Sequence, residues 1–352
     1  MSAARERGVG LVELMVWITV SLLLVTVIGT LYVNSKQLTR VNDDVSRLQE
    51  NGRFAIYLLD HDMRMAGFRG CNGAVVTPVA VPSPAPPNDL NSNAYPYRFD
   101  VSIVGYYGSG GAWTPALDPS ISALTPSPLA NTDVVTIRQT NGPGEALVAT
   151  MLTSTDNVTV APNSPLAAGD VLLLADCVNW AIFNATSFNS GTGVIAHEVG
   201  AGVPGNSTKD LGNVFGNTSS SNASVYRLVT KTYYVAPSVK RPGTNSMWVN
   251  SVPAYDGQPQ PEELVEGIDN FSLLYGEALA GQRAANRYVT ADAVSNWSNV
   301  VSVKAQLLLA TVRDHVATSS QAYTFAGVTT TPTDTKIRTA LSSVITLRNR
   351  VP

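Results

Sequence analysis

Twenty consecutive uncharged residues, Leu14 to Val33, follow a single carboxylate at Glu13. A helix of about 20 such residues is long enough to cross a bilayer. A charge at membrane depth costs roughly 2.5–3.5 kcal/mol on insertion scales, so a residue kept there needs a partner and a task. The upstream run Arg5-Glu6-Arg7-Gly8-Val9 offers one. A cut after Gly8 would leave an α-amino group on Val9, a cation one helical turn from Glu13. Basic residues ahead of the apolar run keep this end in the cytoplasm. Two plainer readings fit less well. A cleaved secretory signal would have a shorter apolar core and a small-residue exit, which Thr30-Leu31-Tyr32 does not provide. An unrelated membrane anchor accounts for the length but not for Gly8 or Glu13.

The helical pattern continues past Asn34. Apolar residues recur at Leu38, Val41, Val45, Leu48, Ala55, Leu58, Leu59, Met63 and Ala66, in steps that form one stripe on a helix. Arg40, Asp43, Asp44, Arg47, Glu50, Arg53, Asp60 and Arg64 fall on the other faces. No proline interrupts Leu14 to Gly67, so one helix of about 54 residues and roughly 80 Å is expected. Gly29 and Gly52 are its expected bending points, because glycine weakens a helix by about 1 kcal/mol. The stripe fits packing onto a globular sheet, with a coiled coil as the alternative.

The Arg5/Arg7–Gly8–Val9–Glu13 pattern resembles the class III leader of type IV pilins and related pseudopilins. Two further runs narrow the likeness: Arg47-Leu48-Gln49-Glu50-Asn51-Gly52-Arg53-Phe54-Ala55, and Asp62-Met63-Arg64-Met65-Ala66-Gly67-Phe68-Arg69-Gly70-Cys71. They are similar to segments of the minor pilins called PilW. Leu264–Phe271, ending at Leu274-Tyr275-Gly276, resembles a stretch shared by PilW proteins and the larger secretion pseudopilins, and Thr346–Arg350 resembles the PilW ending. Residues 72–230 carry no likeness.

The resemblance implies a prepilin peptidase that cuts between Gly8 and Val9, N-terminal methylation, and Glu13 as an assembly residue. It implies an α+β, type IV pilin-like fold: a long N-terminal helix, membrane-spanning in its first half, packed on an antiparallel β-rich head. The expected division is a leader at 1–8, a transmembrane and assembly half at 9–34, a second helix half packed on the head at 35–70, and the head at 71–352. Partners implied are the prepilin peptidase, other minor pilins, the major pilin, a tip adhesin and the inner membrane. The chain would sit in that membrane, head in the periplasm, before joining a surface pilus. Its role would be to help initiate pili that serve twitching motility and adhesion. A type II secretion minor pseudopilin remains an alternative, although such chains are usually much shorter and lack the Arg47–Ala55 wording. A membrane-anchored adhesin or hydrolase that does not assemble is the competing class.

Only two cysteines occur, Cys71 and Cys177. In an exported head an isolated pair is most simply a disulfide, since the periplasm is oxidising. Closing a loop of about a hundred residues would stabilise the fold by a few kcal/mol in the chain-entropy model. Two free buried thiols are the alternative. Gly67 and Gly70 would end the helix just before Cys71.

Charged residues make up 14% of the chain, below the usual quarter or so. Ser, Thr, Asn, Gly and Pro replace them, as in secreted β-rich proteins. The net charge is −3, and loss of Arg5, Glu6 and Arg7 with a leader makes it −4. With no basic cluster, no nucleic-acid partner is expected. Prolines at 78–96 and 115–128 read as long surface loops. Strand patterns fall at Asp133–Arg138, Asn157–Ala161, Val171–Ala175, Ala181–Asn184, Val225–Val235, Met247–Val252, Ile268–Tyr275, Val300–Val312 and Ser343–Asn349. The Gly/Ser/Asn/Thr-rich stretch Asn184–Ser224 reads as an exposed, mobile loop.

Catalytic patterns are lacking, and neither a cofactor nor a metal is expected. Gly-x-Ser-x-Gly does not occur, and His197-Glu198 has Ala201 where a zincin motif needs a second histidine. Gly191-Thr192-Gly193 mimics a dinucleotide loop without a strand before it and a helix after it. His61, His197 and His315 have no ligand spacing with a cysteine.

Overall fold

The computed structural model describes residues 10–68, 70, 95–99, 101–176, 179–200, 204–218, 221–253, 260–279, 282 and 284–350. Helix α1 runs unbroken from Leu11 to Met65, 55 residues, through both Gly29 and Gly52. Its buried positions are Asp44, Leu48, Gly52, Ala55, Leu59, Asp62 and Met63, followed by Ala66 at the C-cap. Steps of three and four residues place them on one face. This refines the expected stripe. Leu38 is exposed, while Asp44, expected on an outer face, is buried.

Gly52 is a point of close approach. A Cβ there would overlap Leu309 Cδ1 and stand 3.2 Å from Leu341 Cδ2, so its missing side chain lets the helix lie on the sheet. A Cβ on Gly29 would meet nothing within 4 Å.

The remaining elements, in order, are β1 (Ile103–Ser109), β2 (Ala112–Thr114), the short α2 (Pro119–Ser122), β3 (Val134–Ala146), β4 (Val158–Thr159), β5 (Val171–Ala175), β6 (Trp180–Asn184), β7 (Ser187–Asn189) and β8 (Val194–Ala196). They continue with β9 (Asn217–Thr218), β10 (Ser221–Asn222), β11 (Ser224–Pro237), β12 (Asn245–Val252), β13 (Glu262–Glu266), β14 (Ile268–Glu277) and β15 (Arg287–Val289). The last are β16 (Val300–Ala310), β17 (Tyr323–Phe325), β18 (Val328–Thr330) and β19 (Arg338–Thr346), closed by a 3-10 turn at Arg348–Arg350.

Among the described residues the pairings between these strands are antiparallel, and an isolated bridge between Val199 and Asn206 is parallel. The larger sheet has the order β13-β12-β11-β3-β1-β2, and β5 and β6 extend it beside the first half of β11. The second sheet has the order β15-β14-β16-β19. Side-chain alternation explains why both faces of the larger sheet are covered. Val135, Ile137, Tyr233 and Val235 point into a core shared with α1 and the second sheet. Val134, Tyr234 and Ala236 point the other way, against Tyr95, Ile121 of α2 and Trp248. The second proline cluster therefore includes a packed turn, with Pro119 opening α2 and Ile121 buried.

Asp133 ties the sheets together. It is 4% exposed, and its carboxylate accepts from Gly108 N at 3.0 Å and Leu273 N at 2.7 Å. Burial pushes its pKa up to about 6, with those two bonds only partly offsetting it.

The described residues of 184–224 correct the expected exposed loop; 201–203 and 219–220 lie outside them. Here β7 and β8 pair with each other and β8 with β4, over a separate core containing Ile195, Leu211 and Phe215. Asn206 fixes this segment by standing in for a strand partner. Its Oδ1 accepts from Asn184 N at 2.7 Å, and its Nδ2 donates to Asn184 O at 2.8 Å. Gly191–Ala196 is the tip and return strand of the β7–β8 hairpin, where Asn189 Oδ1 accepts from Gly191 N and Thr192 N.

Candidate functional site

The first half of α1 is not buried by the described residues, which approach it only near its end, where Arg313–Val316 stand beside Tyr32–Arg40. Every residue from Gly10 to Arg40 is exposed, and an 18-residue window reaches a mean hydropathy of 2.5. Length and composition make this helix a candidate membrane span. Its three threonines within the apolar run bond back to the helix: the Thr19, Thr26 and Thr30 hydroxyls donate to the carbonyls of Val16, Leu22 and Val27 at 2.8–2.9 Å. Such internal pairing is what a hydrocarbon environment requires. Glu13 stands in the first turn, fully open. Gly8 and Val9, at the expected cut, lie outside the described residues, as do Cys71 and Cys177.

The second half is anchored by four sets of contacts, each reaching far along the chain. Arg313 Nε and Nη2 bind Asp44 Oδ1 at 3.0 and 2.9 Å. Asn51 Nδ2 donates to Glu266 O at 3.1 Å, one residue before Gly52 meets Leu309. Asp62, 3% exposed, accepts from Gln139 Nε2 at 3.0 Å, from Lys231 Nζ at 2.8 Å and from the Tyr233 hydroxyl. Burial alone would raise the Asp62 pKa, but the Lys231 charge and these bonds outweigh it and hold the pKa below the ordinary value. At the helix end, Gly67 N donates to Arg138 O at 3.2 Å. Asn349 Nδ2 donates to Arg64 O at 3.0 Å and Ala66 O at 3.4 Å, serving carbonyls that a helix terminus leaves without partners.

These contacts join segments that the sequence singled out separately. Arg47–Ala55 lies where Leu264–Gly267 turns into β14, and the C-terminal Thr346–Arg350 caps the end of α1. Sequence reasoning missed Asp44, Asp62, Lys231, Tyr233 and Arg313 as anchors. The available signal was polar residues at core spacing, since Asp44 and Asp62 keep the same three-and-four rhythm as Leu48, Ala55 and Leu59.

The three histidines belong to separate elements. His61 flanks Asp62 on α1, His315 is in the β16–β19 connection, and His197 is fully buried, its Nε2 paired with Asp156 O at 2.8 Å. Desolvation holds the His197 pKa below the ordinary value. Among the described residues no group of three or more His, Cys, Asp and Glu could hold a metal ion.

Residues 232–349 match the family model described as Type IV Pilus-assembly protein W, PilW. This match supports a place in a pilus-assembly family. It spans the second half of β11 through the turn after β19, and so contains Lys231's neighbour Tyr233, the Gly267 turn, Arg313 and Asn349. Residues 5–71 lie outside it. Comparison with curated proteins gives no match, and neither does comparison with solved structures.

Proposed function

We propose that this chain is a minor pilin that helps initiate type IV pili and is built into them, a structural role without catalysis. The observation that carries the reading is the form of α1. An apolar half with every residue exposed continues without a break into a half locked onto the β-rich head. The match to a pilus-assembly family supports the same reading. In this account a prepilin peptidase cuts between Gly8 and Val9, and the new α-amino group pairs with Glu13 on the same or a neighbouring subunit. That pairing offsets the cost of a carboxylate in an apolar setting. The apolar half holds the chain in the inner membrane, head in the periplasm, and then packs among helices of the major pilin and other minor pilins.

The same reading includes a Cys71–Cys177 disulfide. The neighbouring described residues support it: a Cβ on Gly70 would stand 3.2 Å from that of Ala175, which ends β5. The bond would tie the exit of α1 to the larger sheet. Peptide mapping of the periplasmic protein without reductant should recover the linked peptides, and two alkylated thiols would refute the pairing.

The main test separates two residues with different tasks. Gly8→Val should leave an uncut precursor in the membrane. Glu13→Val should be cut normally yet enter sheared fibres poorly. Wild-type incorporation of Glu13→Val would remove Glu13 from the assembly role, and absence of the wild-type chain from pili would overturn the reading as a whole.

A further inference from the structure

A groove of about 490 Å³ with basic residues on its rim opens where α1 leaves its apolar run, between the helix and the connection that follows β16. We propose that it seats the phosphate of one bilayer phospholipid headgroup. The inference rests on the reading of Leu14–Val33 as membrane-spanning, because that places the groove at the bilayer surface.

Depth is the first argument. The groove begins at Tyr32 and Val33, the last residues of the apolar run. At 1.5 Å per residue, Lys36 stands about 4.5 Å beyond Val33 and Arg40 about 10 Å. The headgroup layer of one leaflet is roughly 5–7 Å thick, so Lys36 stands within it and Arg40 a few Å past its outer edge, within reach of a long side chain. Lys36 Nζ also lies 5.8 Å from the centre of the Tyr32 ring, a tyrosine at the level where such rings favour the interface.

Charge is the second argument. Lys36, Arg40 and Arg313 line the groove, with the His315 side chain 88% exposed beside them. Two carboxylates also line it, each with its Oδ1 engaged, and Asp314 Oδ2 stands 3.7 Å from His315 Nδ1. Asp44 holds Arg313 through one edge of the guanidinium. Asp314 accepts from His315 N at 2.7 Å and from Thr335 N and Oγ1 at 3.0 Å. Arg40 has no ion pair among the described residues, and Nη1 of Arg313 has no partner there. The groove therefore presents unspent cationic donors at headgroup depth, and a lipid phosphate supplies acceptor oxygens at that depth. An inorganic phosphate has the same chemistry but no reason to be held at the membrane surface.

The test uses the full-length chain in nanodiscs of equal parts phosphatidylglycerol and phosphatidylcholine. Native mass spectrometry after release counts the phospholipids that stay bound. Lys36→Gln with Arg40→Gln should lower retained phospholipid by about tenfold or more, since each basic residue near an anionic surface adds attraction. Arg53→Gln, on the same helix beyond the groove, should leave retention unchanged, and millimolar-scale inorganic phosphate should not displace the lipid. Equal retention in the double variant would overturn the proposal. So would displacement by inorganic phosphate, which would mark a free-anion site. Unchanged retention with weakened entry into fibres would assign the groove to an acidic neighbour subunit instead. A chain that fails to enter nanodiscs at all would sink the membrane reading itself, a separate and earlier failure.

Discussion

No residue of α1 from Leu11 to Arg40 is buried, whereas the buried positions from Asp44 to Ala66 form a single face against the head. One continuous helix thus serves two surroundings. Over Leu14–Val33 nearly the whole circumference is apolar, so no choice of face could bury it against a sheet. It needs an environment supplied from outside. The second half is complete within the chain. Polar groups are handled differently as well. Threonine hydroxyls in the first half bond back to their own helix, while Asp44 and Asp62 in the second reach across to Arg313 and Lys231. The first pattern leaves the helix free to exchange neighbours, and the second fixes it.

The largest expected effect comes from breaking that fixation. Asp62→Ala strands the Lys231 ammonium and the Tyr233 hydroxyl in a largely buried site, which costs about 3–5 kcal/mol when one partner of such a pair is removed. Thr26→Val in the first half should leave head stability unchanged, because its hydroxyl serves only Leu22 O. Thermal unfolding of the full chain in mild detergent reads both. Comparable losses in the two variants would mean that the halves are not energetically separate.

Acid titration sharpens the contrast within the head. The Asp62 pKa is depressed, so its stabilisation is present above the unfolded value of 3.8 and lost as pH falls through the lower folded value. Asp133 has the opposite sign. Its pKa is raised to about 6, so between about pH 4 and 6 the folded state holds more protons than the unfolded state, and stability falls as pH rises. A gap of roughly two pKa units corresponds to about 3 kcal/mol. Urea midpoints measured across that window should decline with rising pH in the wild type and flatten in Asp133→Asn. An unchanged slope in the variant would assign the decline to another group.

A bulky side chain at the two glycines of α1 gives the next test. Gly52→Leu must force apart the helix, Leu309 and Leu341, an overpacking cost of about 1–3 kcal/mol. Gly29→Leu meets nothing and gains about 1 kcal/mol of helix propensity. Head stability by denaturant should therefore drop in the first variant and hold in the second. Equal tolerance of both would show that α1 can lift from the sheet at Gly52.

The same two glycines show what the sequence could and could not disclose. Periodicity made α1 legible over nearly its full length, and β5 matches the expected Val171–Ala175 residue for residue. Gly52 read as a weak point because its packing role depends on Leu309, more than 250 positions away. Asp62 read as unremarkable for the same reason, since Lys231 and Tyr233 complete it only in the fold. Strand β1 escaped notice because Gly105 and Gly108 interrupt its pattern. The fold needs both, since a Cβ at Gly105 would overlap the Tyr275 ring and one at Gly108 the Thr132 backbone. Residues 184–224 were misread because their core residues, such as Ile195 and Phe215, are sparse among Gly, Ser and Asn. A thin apolar pattern hides a strand whose neighbours supply most of the burial.

The smallest expected effect lies at the border between the two halves, in the Asp44–Arg313 pair. Asp44 is 8% exposed and Arg313 54%, so solvent screens much of the attraction. A double-mutant cycle with Asp44→Asn and Arg313→Gln should give a coupling of about 1 kcal/mol or less. That coupling should shrink further when salt is raised from about 0.1 to about 1 M, which cuts the screening length from roughly 10 to roughly 3 Å. The pair would then act as a weak latch that sets where the helix leaves the head without dominating its stability. A salt-insensitive coupling as large as that expected at Asp62 would contradict this, and would move the rigid anchorage of α1 two turns closer to the apolar half.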